Sequence, residues 1–133
     1  MGNANKHTII IILLIISFLL IFNYHNSQTE KTTIKTSFLV GNKSGFDLNP
    51  NELTFGQITP NNSISRDITI TNNFGKTKKV NIKISGEIKD YIIVSENNFL
   101  LAPYEIRNIT FSVYSTRLEE PKKYSGEVTI ITK

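Results

Sequence analysis

The stretch Ile64-Ser65-Arg66-Asp67-Ile68-Thr69-Ile70-Thr71 places Ile64, Arg66, Ile68 and Ile70 on one face and Ser65, Asp67, Thr69 and Thr71 on the other. A period of two is that of an extended strand, and a strand apolar on one side only is stable when that side turns toward a core. The polar run Asn72-Asn73-Phe74-Gly75 ends it. After Lys76, Lys78 and Lys79, the residues Val80, Ile82 and Ile84 alternate with Asn81, Lys83 and Ser85 as far as Gly86, which repeats the one-sided design. The short polar interval predicts that the two strands pair as a hairpin with the lysines at a solvated tip.

The same pattern continues toward both ends. Tyr91-Ile92-Ile93-Val94 reads as a short strand, Phe99 and Leu101 as another that stops before Pro103, and Ile109, Phe111 and Val113 alternate with Thr110, Ser112 and Tyr114. A charged loop holding Arg117, Glu119, Glu120, Pro121, Lys122 and Lys123 leads to a last strand, in which Val128 and Ile130 alternate with Glu127, Thr129 and Ile131. With one more strand at residues 53–57 the total is seven. Gly, Pro and Asn punctuate the chain every 8 to 15 residues or so, the rhythm of a sandwich of short antiparallel strands. Phe55 suits the space between the sheets and Gly56 a bulge; Tyr124 suits a packing role, anchoring a loop through its hydroxyl.

Composition agrees. The chain has 133 residues, isoleucine outnumbers leucine about two to one, and Asn, Lys, Ser and Thr are abundant. That balance favours strands and polar turns over a helical bundle, and the length suits one domain. Cysteine is absent, which excludes disulfides, thiolate metal sites and a cysteine nucleophile. The net charge of +4 is spread along the chain, and no aromatic residues interleave with its lysines, so no nucleic-acid partner is expected.

The N-terminus differs from the rest. From residue 9 to residue 22 every side chain is apolar except Ser17, and Thr8 and Tyr24 extend the run to about 17 residues, or roughly 25 Å of helix. The sequence from Asn23 to Ser27 offers no pair of small residues for cleavage by a signal peptidase, which favours an uncleaved signal anchor in contact with membrane lipid. Lys6 stands where a myristoylation signal needs Ser or Thr. The lysine count is nearly balanced, with Lys6 ahead of the helix and Lys31 and Lys35 behind it. The short tail before a signal-like apolar run favours a single-pass protein whose C-terminal domain lies outside the cytoplasm. The expected organisation is a tail and transmembrane anchor over 1–24, a polar stalk with room for an extra strand over 25–44, and the sandwich over 45–133.

Catalytic chemistry finds little support. Both histidines, His7 and His25, flank the apolar segment; Glu119 and Glu120 share a loop with Lys122 and Lys123 and read as solvated ion-pairing residues. Asp47-Leu48-Asn49-Pro50-Asn51 begins like a calcium loop, but Glu52 stands where glycine is required and Ile58 where a bidentate glutamate is required. No enzyme activity, cofactor or metal is expected. Three N-x-Ser/Thr sequons, at Asn42, Asn61 and Asn108, are candidate glycosylation sites; the first two sit in expected loops and the third enters a strand.

Over residues 46–130 the order Leu48, Pro50, Leu53, Phe55-Gly56, Ile58, Pro60, then residues 66–72, 99–103 and 109–113 and Tyr124-Ser125-Gly126 resembles the immunoglobulin-like modules related to major sperm protein and the ASH domains. The resemblance implies an all-β, seven-stranded immunoglobulin-like sandwich used for binding or scaffolding, here preceded by one transmembrane helix that the soluble members lack. The expected function is therefore a membrane-anchored, non-enzymatic interaction module with a protein partner in the cell envelope or a surface filament. Two alternatives stand beside it. One is a subunit of a pilus-like or archaellum-like assembly, although Asn5-Lys6-His7-Thr8 lacks the Lys-Gly or Arg-Gly processing site of a polymerising pilin. The other is a chaperone-like accessory protein that receives a partner's strand at a sheet edge.

Overall fold

The structure is a computed structural model that describes residues 3–26, 29–41, 51–115 and 121–133, with side chains in the helix described for 5–22. Two compact units divide the chain, residues up to Thr29 and the unit Glu30–Thr132. The first holds the helix α1 (Asn3–Asn26), whose segment Asn5–Phe22 is long and apolar enough to cross a membrane. Its large apolar side chains, from Ile9 to Phe22, are all exposed.

The second unit has eight strands: β1 (Glu30–Val40), β2 (Leu53–Ile58), β3 (Ser63–Thr71), β4 (Lys78–Gly86), β5 (Ile92–Val94), β6 (Phe99–Leu101), β7 (Ile106–Tyr114) and β8 (Lys123–Thr132). They form a five-stranded sheet in the order β2-β1-β8-β4-β6 and a three-stranded sheet in the order β3-β7-β5. The sheets share one core, in which Phe55, Val80, Leu101, Ile109, Phe111, Val113 and Val128 are fully buried. Val80, Ile109, Phe111, Val113 and Val128 come from the apolar phase of an alternating strand, so the period of two positions this part of the core, to which β2 and β6 add Phe55 and Leu101.

The count of seven strands is thus corrected to eight. The additional strand is β1, inside the 25–44 segment read as a stalk with room for an extra strand. Ten of its residues pair antiparallel with β8, from Glu30↔Thr132 to Leu39↔Lys123, and its other edge pairs parallel with β2. Ile34, Phe38 and Val40 alternate with polar positions there, the signal for the extra strand, but the polar start at residues 30–33 reads as stalk and gives no sign that the strand is paired on both sides.

The expected hairpin between β3 and β4 is also corrected, because these strands lie in different sheets. β3 uses its pairing edge on β7 over nine residue pairs, while β4 pairs with β8 and β6. The interval between them arches across the core, and Asn72 fixes the arch. Buried to 2% exposure, it donates from Nδ2 to the carbonyls of Lys76, Leu101 and Ala102 and accepts from the Phe74 N–H. Lys78, expected at a solvated tip, is 1% exposed, because it shares the inward phase of Val80 and Ile82; its Nζ stands 4.5 Å from the Phe74 ring centroid.

Glycine acts at two places. Gly56 adopts φ 71° where the β1–β2 register shifts, and the extra residue there turns Phe55 fully into the core. Gly86 and Gly126 pair across β4 and β8 so closely that a Cβ on Gly126 would lie 2.1 Å from the Ser85 carbonyl oxygen. The 3-10 turn that follows, Glu87–Asp90, plugs the core with Ile88.

Candidate interaction surfaces

Residues that pair across a sheet share a face, so the registers determine what each sheet shows to solvent. On the five-stranded sheet the outward rows are Lys31, Ile131 and Asn81; Thr33, Thr129 and Lys83; Lys35, Glu127 and Ser85; then Leu39 and Lys123, with Lys79 beside Leu100 at the sheet end. Lys31, Lys35, Lys79, Lys83 and Lys123 make this face cationic, against Glu127. Among the described residues none of these five lysines is in an ion pair. A shallow depression of about 340 Å³ lies on the same face between Lys35, Ser37, Glu52, Lys123, Ser125 and Glu127.

The three-stranded sheet shows a different surface. Ser65 and Ser112 hydroxyls meet at 2.7 Å, Thr110 donates to Asp67 at 2.7 Å and Thr69 donates to Asn108 at 2.8 Å. These cross-strand pairs occupy the polar groups among themselves, flanked by the exposed Ile93, Ile106 and Tyr114.

At the end of the sandwich that carries the Asn72 arch, Arg107 lies over the Phe99 ring and donates to Glu96 at 3.1 and 3.2 Å, and also to Glu105. The Glu105 carboxylate accepts from the Ala102 N–H as well, at 2.7 Å. The Ala102 bond, then the Arg107 bond, holds the Glu105 carboxyl below its ordinary value, and the Glu105 bond raises the Arg107 guanidinium. This constellation closes the β6–β7 loop, in which Tyr104 takes φ 60° and is 70% exposed.

Two of the candidate glycosylation sites are placed. Asn61 lies exposed in the β2–β3 turn at φ 61°, and Asn108 is exposed on β7, where its Oδ1 accepts from Thr69. Asn42, Asp47, Leu48, Asn49, Pro50, Glu119 and Glu120 lie outside the described residues. His7 and His25 both fall in α1. Among the described residues no three His, Cys, Asp or Glu side chains come together as a metal site. Tyr124 packs by its ring: it stacks on Phe38 and meets the half-buried Tyr91 at 4.7 Å. The cationic face was not anticipated as a unit, although the spacing of Lys31 with Lys35 and of Lys79 with Lys83 is the signal for it, since residues four apart on a strand share a face.

No family model, no curated protein and no solved structure matches this chain.

Proposed function

We propose that this chain is a single-pass membrane protein that displays a non-enzymatic, immunoglobulin-like interaction or scaffolding module, with the module outside the cytoplasm. The observation that carries the reading is α1, a helix whose run from residue 9 to residue 22 is apolar except for Ser17 and whose side chains there are exposed, a few residues ahead of a β-unit that has its own core. In water those side chains are a liability; in lipid they are an anchor. The two-sheet architecture is compatible with the resemblance to the major sperm protein and ASH-type modules, which bind through their surfaces. The partner in this reading is a protein of the cell envelope, engaged by the outer sheet faces and the strand edges.

Membrane fractions washed with alkaline carbonate test the anchor: the full chain is expected in the pellet, with its N-terminus at Met1 or Gly2, and release into the supernatant overturns the reading. Protease added to intact cells is expected to degrade the module, and protection until lysis reverses the topology. Crosslinking from the outer sheet faces in native membranes then identifies the partner.

A further inference from the structure

We infer that the outward face of the five-stranded sheet binds a linear polyol phosphate, laid along β8 between two columns of lysines. The inference rests on the reading of an externally displayed binding module; it assigns this one face to a polymer and leaves the other surfaces to a protein. Its basis is the register. Lys35 of β1 shares a row with Glu127 of β8 and Ser85 of β4, Lys83 of β4 shares the next with Thr129 and Thr33, and Lys31 of β1 the next with Ile131 and Asn81. Lys79 follows two residues beyond Asn81 on β4, beside Leu100. Outward rows succeed one another about every 7 Å along a strand, and β1 and β4 stand about 10 Å apart on either side of β8. A cation therefore recurs about every 7 Å, alternately on one side of β8 and the other, over a length of about 20 Å. All four lysines are exposed, and the floor between them, Thr129 and Ile131, is uncharged and half-buried.

The spacing selects the ligand. Two phosphorus atoms joined through a three-carbon polyol are separated by six covalent bonds, the bond count of two peptide residues, and so lie about 7 Å apart when the polymer is extended. Each phosphate in turn then meets a lysine. Lysine heads on flexible stems follow such a chain without fixed geometry, which suits a polymer read by its charge and not by its shape. Arginine and aromatic side chains, the anchors of protein interfaces and the platforms for nucleic-acid bases, are absent from these four rows. Glu127 opposes the ligand at the Lys35 row and Glu52 stands across the depression beside it, so the cationic ladder ends there.

The full chain in uncharged detergent micelles is titrated against end-labelled poly(glycerol phosphate) of one to twelve phosphates, with binding read by fluorescence anisotropy. Affinity is expected to rise about twentyfold between two and four phosphates, the number that meets all four lysines, at about fivefold per added contact, and only slowly beyond. Lys31→Gln, Lys79→Gln and Lys83→Gln should each weaken the twelve-phosphate polymer about fivefold in a protein whose circular dichroism is unchanged, and Glu127→Gln should tighten it. Lys89→Gln removes the same net charge from the exposed side of the 3-10 turn, outside these rows, and should leave the affinity as it is. An equal loss from Lys89→Gln would reduce the binding to net charge and overturn the inference. Equal or tighter capture of oligothymidylate with the same number of phosphates assigns the face to a nucleic acid, and of polyglutamate of equal charge to an acidic peptide; either result overturns it. Protease access to the module in intact cells reports separately on the reading beneath the inference.

Discussion

Phe38 and Tyr124 face each other across β1 and β8 with ring centroids 4.8 Å apart and ring planes 9° from parallel. One ring belongs to the first strand of the β-unit and the other to the last, and Tyr91 closes on both. The unit is therefore complete only when β1 is in place. A fragment over 30–133 is expected to unfold cooperatively in urea, whereas one over 45–133, self-sufficient on the sequence pattern alone, is expected to lack a cooperative transition. Phe38→Ala should cost about 3 to 5 kcal/mol. Equal stability of the two fragments would refute the role given to β1.

Asn72 provides the second test. Replacing it by Ala strands carbonyls at the buried arch, and a loss of about 2 to 4 kcal/mol is expected from urea denaturation. Asn72→Asp keeps the acceptor for the Phe74 N–H, removes the donors and places a charge in a buried position. It should be at least as damaging as Ala. If Asp instead matches the wild type, the Nδ2 bonds do not hold the arch.

The closely paired glycines give a steric prediction. Gly126→Ala forces a methyl group toward the Ser85 carbonyl oxygen and the Ile88 side chain, both of which are fixed by pairing or burial. The expected cost is about 2 kcal/mol or more, and it should be partly relieved by Ile88→Val. Additive losses in the double variant would show that Ile88 is not the neighbour that resists.

Acid titration follows from Glu105. Its folded-state carboxyl lies below the ordinary value of 4.5, so its stabilising contribution is present above that value and is lost as pH falls through the lower, folded one. Glu105→Gln should lower the denaturation midpoint at neutral pH and leave a shallower loss of stability on acidification. A variant with the same acid profile as the wild type would place the acid sensitivity elsewhere.

Much of this fold was legible in the sequence, because β3, β4, β7 and β8 each carry at least two inward apolar residues at period two. The Phe55-Gly56 bulge was legible for the same local reason. What was hidden depends on partners distant in sequence. Nothing in Asn72-Asn73-Phe74-Gly75 distinguishes a hairpin from an arch, since the choice turns on the remote carbonyls of Leu101 and Ala102. Lys78 looked solvated because lysine usually is, and only the phase fixed by Val80 and Ile82 takes it inside. The cationic face required the β1–β8–β4 register, which joins residues about fifty to a hundred positions apart.

In the membrane-anchored reading proposed above, tension entering the β-unit at Glu30 would run along β1, a strand paired with β8 from Glu30 to Leu39 and also with β2 from Thr36 to Val40. Such a load shears many hydrogen bonds together, whereas a strand attached at a sheet border would peel away one bond at a time. In that reading the inner placement of β1 lets the β-unit bear a pull.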